Sequence, residues 1–169
     1  MKKSMKISII AITLSIFIIG IGIIFENKKG VGNEDNSDKN VSATIVNDNL
    51  IIPIKDISTT ATFYPIEIDG TKLEVLAIKA SDGTIRTAFN TCQICYSSGR
   101  GYYEQEGNML ICQNCGNRFR SDDVEITRGG CNPVPITQKN KTVDGENIII
   151  SKGFLSEIKL IFENWKTDF

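Results

Sequence analysis

Five cysteines carry the clearest chemical signal in this sequence, and four of them form two C-x-x-C pairs. The first pair is Cys92 and Cys95, and sixteen residues separate it from the second pair, Cys112 and Cys115. Two intervening residues let both sulfur atoms of a tight turn face one ion, and a hairpin between the pairs would bring the two turns together. We therefore predict that these four thiolates form one metal site.

The identity of the metal depends on the fifth cysteine. Four thiolates suit zinc and iron–sulfur clusters alike, and structural zinc sites are the commoner use of this spacing. Cys131, which follows Gly129 and Gly130, exceeds what a closed zinc site requires. The two glycines would let backbone N–H groups approach sulfur, which helps to set the potential of a cluster. Cys131, Gly129 and Gly130 are therefore predicted cofactor-binding residues, with an iron–sulfur cluster as the cofactor and zinc as the alternative.

Disulfide chemistry is the competing interpretation of the cysteines. Thiols outside the cytoplasm can oxidise, but an odd count of five leaves one thiol unpaired in a purely disulfide framework. A thioredoxin-type C-x-x-C normally opens a helix, and neither pair here precedes a helical pattern. An extracytoplasmic thiol–disulfide protein stays open as an alternative function.

Histidine is absent from all 169 residues, and the formal net charge is −1. The absence of histidine excludes Ser-His-Asp and Cys-His nucleophile arrangements, zinc catalysis through histidine ligands and the histidine pair of a Rieske centre. No catalytic carboxylate pair or phosphate loop stands out, so we expect a protein that is not an enzyme. The chain has no excess of basic residues, which argues against nucleic acid as a partner. The sequence gives no indication of the oligomeric state.

Short strand-like runs separated by turns surround the cysteines. The dipeptide Asp82-Gly83 between two such runs is a strong hairpin signal, and the return strand Ile85–Asn90 would lead directly to Cys92. A second hairpin would join Gly101–Gln105 to Asn108–Cys112. These hairpins would place both cysteine pairs at strand ends.

Two further runs complete the predicted fold. Leu50–Ile54 contains Pro53, which cannot donate to a sheet ladder and so predicts an edge strand. Apolar residues recur at helical spacing in 154–165, which predicts an amphipathic helix of about 12–14 residues capped by Ser151. We predict a mostly β fold, a small β-sandwich or barrel with Rieske-like or zinc-ribbon-like cysteine hairpins and a C-terminal helix.

The N-terminal part of the chain predicts a membrane anchor. Nineteen uncharged residues, Ile7–Phe25, follow three lysines, and at about 1.5 Å each they span roughly the thickness of a bilayer core. Residues 1–25 are thus a predicted single-pass anchor with a cytoplasmic N-terminus. A cleaved signal peptide is the alternative, although no A-x-A-like site follows the run. Residues 26–49 predict a flexible tether, and 50–169 an extracytoplasmic, Cys-rich metal-binding domain.

Several motifs occur together around the cysteines, namely Ala88–Cys95, Gly101–Tyr103, Leu110–Gly116 and Gly129–Pro135. In this combination they resemble the membrane iron–sulfur-containing FtrD-like family. The resemblance implies that the five cysteines match the motif positions of an iron–sulfur protein tied to the cell membrane. A thiolate-bound cluster predicts electron transfer or a role in association with iron transport, with a membrane redox or iron-transport protein as the expected partner. In some cases the family accompanies a bacterial ferrous iron uptake system with a periplasmic iron-binding protein, a cupredoxin-like protein and a permease.

The order of elements also resembles a Rieske-type domain, in which a hairpin separates two cysteine-bearing loops. Without histidine, a cluster of the [2Fe–2S] type would be ligated by thiolates alone. Its expected potential then lies toward the plant-ferredoxin end of the range.

Overall fold

The computed structural model describes residues 43–167 of the chain. The predicted anchor (1–25) and most of the predicted tether (26–49) lie outside these residues. Within 43–167, no helix has the length and apolar character needed to cross a membrane. The described part is mostly β, with three antiparallel sheets and one short C-terminal helix, which confirms the mostly β prediction.

Eleven strands and one α-helix make up the regular structure within residues 43–167. They are β1 (Thr44–Val46), β2 (Asn49–Pro53), β3 (Thr62–Ile68), β4 (Thr71–Lys79), β5 (Ile85–Cys92), β6 (Tyr103–Glu106), β7 (Met109–Cys112), β8 (Arg118–Arg120), β9 (Pro133–Pro135), β10 (Thr142–Val143), β11 (Asn147–Ile150) and α1 (Lys152–Ile158).

The strands form three sheets. The first sheet has the order β1-β2-β11-β10, the central sheet has the order β3-β4-β5-β9, and the third sheet has the order β6-β7-β8. Both predicted hairpins are present, since β4 pairs with β5 and β6 pairs with β7. Strand β5 of the central sheet therefore ends at the first cysteine pair, and strand β7 of the third sheet ends at the second pair.

The central sheet has an apolar core on each of its faces. Along β4, Leu73, Val75 and Ala77 belong to a core shared with the first sheet and α1. Leu76 and Ile78 alternate with them and belong to a second core shared with the third sheet. Because successive side chains of a strand point to opposite faces, burial on both sides explains why β4 is a nearly continuous apolar run. The second core also contains three of the cysteines.

The prediction of an edge strand at Pro53 is wrong. Strand β2 lies between β1 and β11, and Pro53 is its last residue, opposite Asn147 of β11. Strand β1 pairs only with Asn49 to Ile51, so the missing N–H of Pro53 removes no bond on that side. The proline is tolerated because the ladder between β1 and β2 has already ended at Ile51.

The C-terminal helix is shorter than predicted. Helix α1 ends at Ile158, and a 3-10 segment, Lys159–Phe162, continues it. In that segment the Phe162 ring lies 5.8 Å from that of Phe89. The predicted cap is confirmed, because the Ser151 hydroxyl accepts a hydrogen bond from the Phe154 N–H at 3.3 Å.

Strand structure begins inside the segment assigned to the tether. Strand β1 starts at Thr44, and the turn to β2 places Asn47 and Asp48 at φ 48° and 66°. Asn and Asp tolerate this left-handed conformation, which a two-residue hairpin turn of type I′ requires. Asn and Asp are common both in such turns and in flexible linkers, so composition alone does not distinguish the first hairpin from a tether.

Candidate metal centre

The first cysteine turn begins where β5 leaves the central sheet. The Cys92 N–H donates to the Gly101 carbonyl at 2.7 Å, and the Ser98 N–H donates to the Cys95 carbonyl at 3.0 Å. A Cβ on Gly101 would lie 2.7 Å from the Cys95 carbonyl oxygen, closer than real side chains approach. Glycine is required there because the backbone after the turn passes directly over Cys95.

The second cysteine turn begins where β7 leaves the third sheet. The Cys112 N–H donates to the Asn117 carbonyl at 3.0 Å, and the Gly116 N–H donates to the Cys112 carbonyl at 2.8 Å. Gly116 has a φ of 72°, the left-handed conformation that glycine adopts without strain. The glycine closes the turn so that Cys115 faces back toward the other cysteines.

The structure brings all five cysteines together in one site. The Sγ atoms of Cys92, Cys95 and Cys112 lie within 4.8 Å of one another, and so do those of Cys95, Cys115 and Cys131. Cys95 belongs to both groups and joins them. No disulfide connects the five cysteines. The sequence-predicted metal residues and the fifth cysteine therefore form one continuous cluster of sulfur atoms.

Hydrogen bonds fix the loop that carries Cys131 over both cysteine turns. Its carbonyl accepts a hydrogen bond from the Tyr103 hydroxyl at 2.8 Å and from Asn117 Nδ2 at 2.8 Å. The Gln93 N–H, inside the first turn, donates to the Asn132 carbonyl at 2.9 Å. Cys131 is therefore held by contacts with β6, with the segment after Cys115 and with the first turn.

Gln93 is a site residue that the sequence prediction missed. Its Oε1 accepts a hydrogen bond from the Gly129 N–H at 3.0 Å, and its Nε2 donates to the Pro133 carbonyl at 3.1 Å. The signal was present, because glutamine follows the first cysteine of both pairs, at Gln93 and at Gln113. A polar side chain inside a C-x-x-C turn is well placed to bridge to a neighbouring loop.

The two glycines before Cys131 shape its loop. Gly129 and Gly130 have φ values of 81° and 69°, and a Cβ on either would meet no atom within 4 Å. Their role is therefore conformational, because few other residues adopt two successive left-handed conformations. The Gly129 N–H donates to Gln93 rather than to a sulfur atom.

Burial divides the cysteines into an inner and an outer set. Cys92 and Cys112 are 0% exposed and Cys95 is 8% exposed, whereas Cys131 is half-buried and Cys115 is exposed. The three inner thiols pack with the second apolar core. A bound metal would thus be shielded from water on one side and accessible on the other.

Burial and hydrogen bonding set the pKa values of the thiols. Burial raises the pKa of Cys112 to about 12, and a hydrogen bond with Cys115 raises the pKa of Cys131 to about 12. Burial opposes ionisation of Cys92, yet the neighbouring Tyr103 hydroxyl and the backbone N–H of Cys95 bring its pKa below the usual value. The backbone N–H of Asn117 lowers the pKa of Cys115. Because metals bind thiolates, loading this site releases protons.

Tyr103 closes the inner side of the site. It is 1% exposed, and its N–H donates to Asn90 Oδ1 at 2.7 Å. Asn90 Nδ2 in turn donates to Glu74 Oε2 at 2.5 Å, and Glu74 forms an ion pair with Lys166 at 3.3 Å. Burial, together with the neighbouring Cys92 thiol, raises the pKa of Tyr103, which keeps its hydroxyl protonated and able to donate to the Cys131 carbonyl.

The chemistry of the donor set fits a thiolate-ligated metal. Within the described residues, the candidate metal-holding groups consist of cysteines alone. Soft sulfur ligands in tetrahedral arrangement select zinc or iron–sulfur clusters over magnesium, calcium or manganese. The residues therefore fit the cofactor that the sequence predicts.

Comparison with known proteins agrees with this site. The family described as "Membrane iron-sulfur containing protein FtrD-like" matches residues 54–162, a span that contains all five cysteines. No curated protein and no solved structure matches the chain.

Proposed function

The chain belongs to the FtrD-like family of membrane iron–sulfur proteins, and from that premise we propose that it is an extracytoplasmic metal-binding protein anchored in the cell membrane. It carries a thiolate-ligated iron–sulfur cluster and serves electron transfer or iron transport. The observation that carries this proposal is the convergence of five thiols from three separate loops on one site. In the proposed arrangement, residues 1–25 form the anchor and the domain faces away from the cytoplasm.

Four cysteines would hold the cluster, namely Cys92, Cys95, Cys112 and Cys115. When bound, an iron–sulfur cluster accepts and releases single electrons. The inner cysteines and Tyr103 exclude water from one side of the site, and the exposed Cys115 leaves the other side open to a partner. This arrangement suits a carrier that exchanges electrons with a membrane redox or iron-transport protein and has no substrate chemistry of its own.

A structural zinc ion is the second candidate. Three inner sulfur atoms lie within 4.8 Å of one another, and one outer thiol would complete the four-sulfur shell of a structural zinc ion. Zinc would stabilise the two cysteine turns and would not change its oxidation state.

Reduction of the purified protein separates the two candidates. We expect the full-length chain, purified anaerobically in detergent, to be brown and to lose visible absorption reversibly when dithionite reduces it. Cys112→Ser is the control, and it should be colourless because it opens the inner shell. A colourless wild-type protein that contains zinc and does not respond to dithionite would exclude electron transfer by this site.

A further inference from the structure

The site contains one more thiol than a cluster or a zinc ion needs. Four protein thiolates complete the shell of a zinc ion and of the common iron–sulfur clusters, and five converge here. Either one particular thiol is always unligated, or two thiols alternate at one ligand position. The positions of the outer cysteines favour sharing.

Cys115 and Cys131 are equivalent in their relation to the rest of the site. Both Sγ atoms lie within 4.8 Å of the Sγ of Cys95 and within 4.8 Å of each other. Neither belongs to the buried group of Cys92, Cys95 and Cys112. Both also lie toward the accessible side of the site, with Cys115 exposed and Cys131 half-buried at the edge of the second core.

Hydrogen bonds from two separate parts of the chain hold the loop of Cys131 in position. Asn117, two residues after Cys115, donates to the Cys131 carbonyl at 2.8 Å, which ties the two outer cysteines together. The Tyr103 hydroxyl donates to the same carbonyl at 2.8 Å. These hydrogen bonds hold the Cys131 backbone beside the second cysteine turn, and the Sγ atoms of Cys115 and Cys131 border the same part of the site.

We propose that Cys115 and Cys131 are interchangeable ligands for one coordination position, with Cys92, Cys95 and Cys112 as the fixed ligands. The inference rests on the proposed metal-binding function. In the exchange, one sulfur–metal bond breaks as another forms, the incoming thiol gives its proton to the outgoing thiolate, and no electron is consumed. Such an exchange gives the outer side of the site a labile ligand, while the inner side stays fixed.

Metal content of alanine variants tests the exchange. In the full-length chain purified in detergent, Cys115→Ala and Cys131→Ala should each retain bound iron or zinc within about twofold of wild type, because the other thiol replaces the one lost. The double variant Cys115→Ala/Cys131→Ala should lose metal by about tenfold or more, as should the matched control Cys112→Ala, which removes a fixed ligand. Far-UV circular dichroism of each variant establishes that it is folded.

Opposite results overturn the proposal. If Cys115→Ala alone is as empty as Cys112→Ala, or if the double variant keeps its metal, the two thiols do not share a position. Loss of metal in all four variants would refute the exchange and leave the proposed function standing. A wild-type protein without metal would refute the proposed function itself.

Alkylation of the metal-loaded wild-type protein tests the same proposal without a mutation. Iodoacetamide should modify about one thiol per chain, divided between Cys115 and Cys131, since one of the two is free at any moment. Modification confined to one of these cysteines, or found at Cys92 or Cys112, would contradict the exchange.

Discussion

Tyr103 connects the third sheet to the candidate metal site. Its hydroxyl donates to the Cys131 carbonyl at 2.8 Å, and the same hydroxyl, lying near Cys92, lowers the pKa of that thiol. A polar hydroxyl near a ligating sulfur would stabilise the added negative charge of a reduced cluster. We therefore expect Tyr103 to position the Cys131 loop and, if a cluster is bound, to favour its reduction.

Replacing Tyr103 by phenylalanine should lower the reduction potential of the site. The ring still fills the core, but the donor is lost, and a shift of about 60 mV would correspond to a tenfold change in a one-electron equilibrium. The measurement is a redox titration of the visible absorption. Tyr102→Phe is the control, because the Tyr102 ring packs under Lys166 and is only half-buried. Equal potentials in wild type and Tyr103→Phe would refute the role.

At the scale of elements, the crossing of the segment before β6 over the first cysteine turn is the tightest contact of the site. A methyl group on Gly101 would lie 2.7 and 2.8 Å from the backbone oxygen and carbon of Cys95. The backbone of Cys95 would have to move, and its sulfur with it. We expect Gly101→Ala to reduce metal content by about tenfold, the order seen when groups that orient ligands are lost.

Gly153→Ala is the matched control for this substitution. Gly153 lies in α1, and a Cβ there meets no atom within 4 Å. Alanine is more favourable than glycine in a helix by about 0.8–1 kcal/mol, so this variant should keep its metal and unfold at slightly higher temperature. Normal metal content in Gly101→Ala would show that the turn tolerates displacement of Cys95.

The sequence allowed prediction of the elements that depend on local signals. The Asp82-Gly83 hairpin, the hairpin before Cys112 and the Ser151 cap each follow from a few adjacent residues. The convergence of the two C-x-x-C pairs followed from their spacing, whereas Cys131 was placed near them because of the two glycines before it. The sequence could not show whether β2 is an edge strand or an interior strand of its sheet. Its position depends on pairing with β11, which lies almost one hundred residues later in the chain.

Other parts of the site depend on contacts between distant residues and have no local signal. Lys141 pairs with Glu125 at 2.6 Å and donates to Thr87 at 2.9 Å, which fixes the long loop before Cys131 to β5. The Trp165 indole N–H donates to the Asn90 carbonyl at 2.8 Å, next to the first cysteine turn. From the sequence alone, polar side chains of this kind are expected to be exposed to solvent. The fold shows that they stabilise the segments around the cysteines.

At the scale of the whole molecule, the predicted anchor would hold the metal site at the membrane. The uncharged run Ile7–Phe25 should hold the full-length chain in the membrane against carbonate extraction, because no charged residue opposes its insertion. A chain beginning at Asn40 should be recovered in the soluble fraction with its metal site intact. Release of a processed domain from cells would contradict a permanent anchor.

Iron and acid-labile sulfide in the full-length protein show whether the five-cysteine site holds an iron–sulfur cluster. We expect iron and sulfide in equal amounts, about two or more of each per chain, in protein purified anaerobically in detergent. About one zinc ion per chain without sulfide would contradict this expectation.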